Sequence, residues 1–122
     1  PHRPPHHPER AVAYAGTHDN APAAAWWAEA GAAVRAEAER ELAAAGIAAD
    51  EPHWALIELT LRSRAATAIV QAQDVLGLGA GARMNVPGVE GGNWGWRLEA
   101  GQLTRELAAR LRAVAEGSGR RA

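Results

Sequence analysis

The sequence predicts an α/β fold with parallel strands, because two patterns occur together in its 122 residues. Two short apolar runs, residues 10–15 and 67–72, each lead into turn or polar residues, as buried strands of a parallel sheet do. Segments with helical spacing lie between and after these runs. The expected order is strand, helix, helix, strand, loop and helix. Because two strands do not form a stable parallel sheet alone, we expect the chain to be part of a larger fold.

The first predicted helix follows the first strand and spans residues 23–45. Pro22 suits the first turn of a helix, Asn20 is a plausible N-terminal cap, and Gly46 is a typical stop. The many alanines favour a helix through their intrinsic propensity. An apolar stripe is expected along one face, made of Trp27, Ala30, Val34, Ala38 and Leu42.

A second helix is predicted to begin at Asp50 and Pro52, which combine a capping acid with a proline in the first turn. It runs to Arg64 and is apolar on nearly all sides, so we expect it to be buried by its neighbours. Glu58 and Arg62 form a favourable pair four residues apart.

The glycine-rich segment 77–97 is expected to be a structured loop of the kind that carries function. Its Gly77-Leu-Gly79-Ala-Gly81 run lacks the Lys and the spacing of a phosphate loop, so no cofactor is predicted there. A last helix is predicted over 102–116. Both ends are expected to be irregular, since four prolines lie in residues 1–9 and the tail 117–122 should fray. The stripe of the last helix is Leu103, Leu107, Leu111 and Val114.

Composition and charge narrow the classes of function. The 48% apolar and 22% charged content is typical of a globular protein. Thirteen basic residues, all Arg, and fourteen acidic ones leave a net charge of −1, which gives no electrostatic basis for a nucleic-acid partner. The lack of Cys excludes a disulfide framework, a thiolate zinc site and a cysteine nucleophile. Since neither a spanning apolar run nor a leader pattern is present, we expect no membrane partner and a cytoplasmic location.

The residues just after the first strand are candidates for catalysis. They follow the carboxyl end of the strand, where active-site side chains lie in open α/β sheets and α/β barrels. Asp19 is suited to act as nucleophile, general acid or base, metal ligand or charge stabiliser. Asp19 and Asn20 are equally suited to cap the next helix, so the pattern alone leaves both interpretations open. His18 is adjacent, but the other histidines lack metal-ligand spacing, and no metal site is predicted.

The five Trp residues fall into two groups. Trp26, Trp27 and Trp54 lie on predicted helices and are expected to pack in the core. Trp94 and Trp96 lie in the glycine-rich loop, where their rings either stack on the flat apolar face of a sugar or pin the loop down. Pinning is the favoured role for at least one of them.

Three dense motifs occur in order along the chain. The first is Val12-Ala-Tyr-Ala-Gly-Thr-His-Asp-Asn20, followed by Trp26-Trp27. The second is Ala68-Ile-Val-Gln-Ala-Gln-Asp-Val-Leu-Gly-Leu-Gly79, and the third combines Ala82-Arg-Met-Asn-Val-Pro-Gly88 with Gly92-Asn-Trp-Gly-Trp-Arg97. They resemble V-x-Y-T-G-T-H-D-N…G-W-W, A-I-V-P-x-Q-D-x-L-G-L-G and A-R-M-N-x-P-G…G-N-W-x-W-R of the 4-alpha-glucanotransferases, or amylomaltases, of glycoside hydrolase family seventy-seven.

The resemblance spans about residues 5–112 and implies a fold and a reaction. The family fold is a (β/α)8 TIM barrel, and residues 1–122 would be the C-terminal part of this catalytic domain, with barrel strands seven and eight and their helices. The family transfers α-1,4-glucan segments between maltooligosaccharide, starch or glycogen acceptors with retention, and it needs no metal or cofactor. The nucleophile and the acid/base, about 5 Å apart in such chemistry, would lie on earlier strands that this chain does not contain.

The resemblance also implies roles for three residues. Asp19 corresponds to the third family carboxylate, which holds sugar hydroxyls and stabilises the oxocarbenium-like transition state. His18 corresponds to the neighbouring sugar-binding His, and Asn85 to an Asn near the same subsite. The chain departs from the family at 21–25, where Ala-Pro-Ala-Ala-Ala replaces D-T-T-x-G and removes polar acceptor-side groups, and at Ala72, which replaces a Pro.

A different class of function fits the same residues. A non-catalytic carbohydrate-binding or interaction module would also lack the nucleophile and the acid/base. The chain begins at Pro1 and its only Met is Met84, so we expect a fragment or a processed product, or else the loss of a single initiator Met.

Overall fold

The computed structural model describes residues 6–120, which combine helices with a pair of strands. The elements in chain order are β1 (Val12–Tyr14), α1 (Ala23–Glu29), α2 (Ala32–Ala44), α3 (Pro52–Leu61), β2 (Thr67–Ile69), α4 (Ala72–Val75) and α5 (Arg105–Gly117). A 3₁₀ turn over Ala80–Ala82 lies between α4 and α5. Of the nine residues expected to be irregular at the start, 1–5 lie outside the described part, and 7–9 belong to no helix or strand.

The two strands pair in parallel, which confirms the predicted α/β class. The register places Val12 opposite Thr67, Ala13 opposite Ala68 and Tyr14 opposite Ile69. Each strand has three residues, shorter than the predicted 10–15 and 67–72. Because parallel strands end at the same edge, the segments after β1 and β2 lie side by side.

The strands are buried on one face only, so the prediction of strands buried on both faces is wrong for this chain. Side chains alternate between the faces of a strand. Ala13 is buried and Ala68 half-buried on the face that packs toward α3. On the other face Tyr14 is 50% exposed and Ile69 is 43% exposed, because no element among residues 6–120 covers them.

The predicted helix over 23–45 is two helices, because the chain is extended at Ala30 (ψ 129°) and Gly31 (ψ 156°). Gly is the weakest helix former apart from Pro, so it lowers the cost of a break in an alanine-rich segment. The Arg35 guanidinium then donates to the carbonyl of Trp27 at 2.8 Å, which satisfies an oxygen that the end of α1 leaves open. The expected continuous stripe is therefore divided between α1 and α2.

The stop at Gly46 is confirmed. Its φ of +69° is the left-handed conformation that Gly adopts without strain. The next residue, Ile47, donates its N–H to the carbonyl of Leu42 at 2.9 Å and closes the helix end.

Helix α3 is the central element, as its apolar sides predict. It contributes to two buried clusters, and Ile57 has no exposed surface at all, which contributes about 1.5–3 kcal/mol to folding. One cluster joins α3 to α4 and α5 through Trp54, Ile57, Leu61 and Val75, with Leu107, Leu111 and Val114 packed against it. The other joins α3 to α2 through Leu42, Ile47 and Ala55, with Trp27 packed against it.

The expected Asp50 cap on α3 is not formed. Glu51 occupies the capping position without a side-chain cap, and its carboxylate instead accepts two hydrogen bonds from Arg110 of α5, at 2.7 and 3.1 Å. The hydrogen bond from Arg110 lowers the pKa of Glu51. The predicted pair of Glu58 with Arg62 is confirmed.

Helix α5 begins three residues later than predicted, because the hydroxyl of Thr104 caps it by accepting from the N–H of Leu107. Leu103 therefore lies before the helix and is exposed, while the rest of its predicted stripe packs on α3.

The expected fraying of the tail stays a prediction, although residues 117–120, the part that the structure describes, make defined contacts. The Arg120 guanidinium donates to the carbonyls of Leu61 (2.6 Å), Ser63 (3.0 Å) and Ala65 (2.8 Å). These bonds tie the end of the described chain to the connection between α3 and β2. Residues 121–122 lie outside the described part.

The helices within residues 6–120 are all too short or too polar to cross a membrane.

Candidate functional site

The loop after β1 is held in shape by its own polar groups. Asn20 accepts with Oδ1 from the N–H of Thr17 at 2.8 Å and from the Thr17 hydroxyl at 3.0 Å. The N–H of Asn20 in turn donates to the carbonyl of Thr17 at 3.0 Å. Asn20 thus closes a tight turn around His18 and Asp19 and does not cap α1, so that prediction is wrong.

The three side chains predicted for the site lie together. Asn85 donates with Nδ2 to Oδ1 of Asp19 at 2.7 Å. The His18 Nε2 atom lies 3.4 Å from the same oxygen. These residues come from two loops, one after β1 and one in the glycine-rich segment, and we call them the Asp19 cluster.

The capping interpretation of Asp19 does not hold. A capping side chain accepts from the free N–H groups of the first helical turn. At α1 the first helical N–H, that of Ala23, donates to Oδ1 of Asp74 at 2.7 Å. The Asp19 carboxylate instead contacts Asn85, and its side chain is 45% exposed. The Asp19 carboxylate is thus accessible at the carboxyl end of β1, the end of the strands where active sites lie in α/β barrels.

Arg83 joins the backbones of the two loops. Its Nη2 donates to the carbonyl of Asp19 at 2.5 Å, and its Nε donates to the carbonyl of Asn85 at 2.8 Å. The N–H of Asn85 donates to the carbonyl of His18 at 3.0 Å. The sequence patterns predict no role for Arg83, and its position in the third motif, two residues before Asn85, is the signal that points to it.

Trp94 forms one side of the Asp19 cluster. Its ring centroid lies 5.0 Å from that of His18, and the residue is 51% exposed. Its φ of +63° is rare for a bulky residue and is held by a bond from its N–H to the carbonyl of Met84 at 2.6 Å. The backbone of Trp94 therefore pins the loop, and its ring is left open to a ligand beside His18.

The other Trp residues behave differently from one another. Trp54 is buried, as predicted, and Trp27 packs half-buried against the second cluster. Trp26 is exposed, so the expectation that it lies in the core is wrong for the described chain. Trp96 is half-buried, and its carbonyl accepts from Arg97, which fits a role in holding the loop.

Asp74, one of the polar residues that follow the second predicted strand, is a buried carboxylate for which the sequence predicts no role. It lies on α4, a four-residue helix that the sequence pattern missed, and it is 1% exposed. Burial raises the pKa of Asp74, although the hydrogen bond from Ala23 and the charge of His53 act in the opposite direction. Burial also lowers the pKa of His53. The signal available in the sequence was an acid shortly after the second predicted strand.

An open cavity of about 340 Å³ lies beside the Asp19 cluster. Its walls come from the exposed strand face and from the loop that follows β1. They are Tyr14, Gly16, Thr17, His18, Ile69 and Gln71. The cavity lies at the carboxyl edge of the sheet, where a ligand would reach His18.

The chemistry available to the Asp19 cluster follows from its members. It offers one carboxylate, an amide, an imidazole and an aromatic face, groups that bind hydroxyls and stabilise positive charge. With a single carboxylate it does not hold the pair that a retaining glycosyl transfer requires. Among residues 6–120, no group of three His, Cys, Asp or Glu side chains could hold a metal ion.

Comparisons with known proteins point to one family. A family model described as 4-alpha-glucanotransferase matches residues 1–104. The chain is 46% identical over 123 residues to the 4-alpha-glucanotransferase of Thermus thermophilus, covering 98% of this chain and 24% of that protein. It is 44% identical over 98 residues to a chloroplastic/amyloplastic 4-alpha-glucanotransferase of Arabidopsis thaliana, covering 80% of this chain and 17% of that protein.

A solved structure agrees with the sequence relatives. The described fold superposes on an amylomaltase from Streptococcus agalactiae in complex with acarbose, with a TM-score of 0.87 and 31% sequence identity. The match covers 96% of this chain and 23% of that one. The chain thus spans about a quarter or less of the length of the relatives it matches.

Proposed function

Because this chain belongs to the 4-alpha-glucanotransferase family, we propose that it forms the C-terminal part of a catalytic (β/α)8 barrel. In this proposal residues 1–122 supply two neighbouring barrel strands, β1 and β2, with their helices. Two observations support it. The strands are parallel and joined by helices, and the sheet face with Tyr14 and Ile69 is exposed where further barrel strands and their side chains would pack.

The proposed activity is transfer of α-1,4-glucan segments between maltooligosaccharide, starch or glycogen acceptors with retention of configuration. The observation that carries it is the contact of Asp19 with Asn85 and His18 at the carboxyl end of β1. Active-site residues of TIM barrels lie at this end of the strands. The nucleophile and the acid/base of the reaction would come from barrel strands outside this chain.

Asp19 acts in this proposal on the sugar whose bond is broken. The transition state carries positive charge on the sugar ring, and a fixed carboxylate stabilises that charge more than it stabilises the ground state. Asn85 and His18 both approach Oδ1, so within the described residues Oδ2 is available to accept from a sugar hydroxyl. Asn85 holds the carboxylate in orientation, and His18 offers a second polar group to the same sugar.

A non-catalytic carbohydrate-binding module is the second candidate. The exposed ring of Trp94 beside His18 favours it, since an aromatic face can bind a sugar ring without any chemistry. It requires no partner carboxylates. The two candidates differ in whether the site transfers glucan or only binds it.

The test is a chimera in which this chain replaces the matching segment of the Thermus thermophilus relative. Incubated with maltotriose, the chimera is expected to form glucose and maltopentaose in equal amounts, because one maltosyl unit moves from donor to acceptor. The control is the unaltered Thermus protein. A chimera that melts cooperatively and binds maltotriose but transfers nothing would support the binding module instead.

The cytoplasmic location stays a prediction. A matched plant relative carries a chloroplastic/amyloplastic name, and that of the Thermus relative gives no compartment. Fractionation of the source cells with an antibody against this chain would decide it.

A further inference from the structure

The buried carboxylate of Asp74 accepts a hydrogen bond from the N-terminus of α1, where the preceding residue provides no side-chain cap. The residue before α1 is Pro22, which has no side-chain group to accept from the first helical N–H groups. Asp74 accepts the N–H of Ala23 at 2.7 Å from a position 51 residues further along the chain. A buried carboxylate is costly unless it is hydrogen-bonded, so this bond and the position of α1 depend on each other.

The segment 71–74, which we call the bracket, contacts both loops of the Asp19 cluster. Gln71 donates with Nε2 to the carbonyl of Thr17 at 3.0 Å, two residues before Asp19. Asp74 holds Ala23, four residues after Asp19. The loop that carries Asp19 is therefore fixed on both sides by the end of the neighbouring strand.

The bracket also reaches the loop that carries Asn85. Gln73, which is buried, donates with Nε2 to the carbonyl of Ala82 at 3.3 Å. That carbonyl directly precedes Arg83, whose guanidinium binds the backbones of Asp19 and Asn85. One short helix thus sets the distance between the two loops whose side chains meet at Oδ1 of Asp19.

We propose that Asp74 is a positioning residue for Asp19, acting through its bond to the N–H of Ala23. The proposal rests on the proposed function, because it concerns the carboxylate that acts there. Asp74 does not touch the sugar in this account. Its carboxylate fixes the start of α1 and so holds the Asp19 carboxylate where charge develops in the transition state. Misplacement of a catalytic group by about 1 Å costs on the order of 10² in rate.

Substitutions of Asp74 in the chimera test whether the acceptor matters. Asp74→Asn keeps an oxygen that accepts from Ala23 and removes the charge, whereas Asp74→Leu keeps the branched shape with a somewhat larger volume and removes the acceptor. We expect kcat of the Asn variant within about threefold of the chimera and kcat of the Leu variant about 10–100-fold lower, with KM for maltotriose changed less than threefold. Asp50→Asn, at an exposed acid, is the matched control.

A second variant removes the donor and leaves Asp74 in place. Ala23→Pro deletes the N–H at the first helical position, where Pro is well tolerated, and the extended ψ of 149° at Pro22 suits a following Pro. We expect it to lower kcat about as much as Asp74→Leu does, and to lower the melting temperature as well, because the buried Asp74 carboxylate loses that hydrogen bond. In the double variant the two losses should not add, because both remove one bond.

The outcomes separate the two proposals. A chimera that melts cooperatively and binds maltotriose but has no transfer activity contradicts the proposed function itself. An active chimera in which Asp74→Leu and Ala23→Pro keep full kcat overturns the positioning role, as does an Asn variant as slow as the Leu variant. If Asp74→Leu does not fold, the result for Ala23→Pro decides alone.

Discussion

At the scale of single residues, Asp19 and Asn85 lie 66 positions apart and meet through one hydrogen bond. The family resemblance pointed to both residues and to His18. The pattern around Asp19 could not by itself decide between a helix cap and a site residue, since Asp suits both. The structure excludes the cap, because the N–H of Ala23, which a capping side chain would accept, donates to Asp74. The contact between Asp74 and Ala23 joins segments 51 residues apart, so no local sequence pattern could predict it.

Asn85→Ala in the chimera should slow transfer without unfolding the protein. The bond from Asn85 to the Asp19 carboxylate involves a charged acceptor and contributes about 1.5–3 kcal/mol. If it orients Asp19 in the transition state, kcat falls about 10–100-fold. The control is Gln102→Ala, which removes an amide that bonds Glu99 outside the cluster. An equal kcat for both variants would exclude an orienting role for Asn85.

The raised pKa of Asp74 predicts the sign of a pH effect on stability. An acid with a higher pKa in the folded state binds its proton more tightly there than in the unfolded state. The contribution of Asp74 to the free energy of unfolding is therefore full below the unfolded pKa of about 3.9. It is lost as the pH rises through the pKa of Asp74 in the folded state.

The measurement is guanidinium unfolding of the chimera and its Asp74→Asn variant over a pH series. Relative to the variant, the chimera should lose free energy of unfolding as the pH rises from about 3 toward 7. A relative gain over the same range would mean that Asp74 is stabilised as a carboxylate, against the effect of its burial.

At the scale of elements, the prediction succeeded where a signal is local. Two apolar runs predicted the parallel strands, Gly46 predicted a helix end, and an apolar sequence predicted that α3 is buried. The structure has all three features. The break at Gly31 was missed because the alanine-rich sequence on both sides favours a continuous helix, and the bond from Arg35 to the carbonyl of Trp27 that accompanies the break has no local signal. The tail was expected to fray because nothing local shows that Arg120 binds the end of α3.

The turn that follows α4 requires a glycine at position 77. Its φ is +65°, and a Cβ placed there would lie 2.9 Å from Nε2 of His53 on α3. Gly77→Ala should lower the free energy of unfolding of the chimera by roughly 1–3 kcal/mol, from backbone strain and displacement of His53. Gly79→Ala is the matched control, since Gly79 has a negative φ and a Cβ there would meet nothing within 4 Å. Equal losses for both variants would contradict this explanation.

At the scale of the whole molecule, one face of the two-stranded sheet is left uncovered by residues 6–120. Val12, Tyr14 and Ile69 expose large apolar side chains on one face of it. The sequence predicted these strands to be buried on both faces, and the proposed barrel would supply the missing cover. The prediction that both faces are buried fails for residues 6–120. In the proposed barrel the second face would be covered by strands outside this chain.

The isolated chain should fold poorly or associate, and it should not act on maltotriose. Uncovered apolar strands promote aggregation, and removal of a catalytic nucleophile costs on the order of 10⁶ in rate. Calorimetry with size-exclusion chromatography tests the first expectation, and glucose release tests the second. A sharp cooperative melt of a monomer would favour a small independent domain, and glucose release above a buffer control would show that the chain needs no further carboxylates.

The role of Asp19 in glucan transfer is tested most directly by kcat of the Asp19→Asn chimera on maltotriose. The new amide can still accept from Asn85, so the melting temperature should stay nearly unchanged. Loss of the charge removes one preorganised electrostatic group, so kcat should fall about 10²–10³-fold. A kcat within threefold of the unsubstituted chimera, at an equal melting temperature, would show that the Asp19 carboxylate takes no part in the reaction.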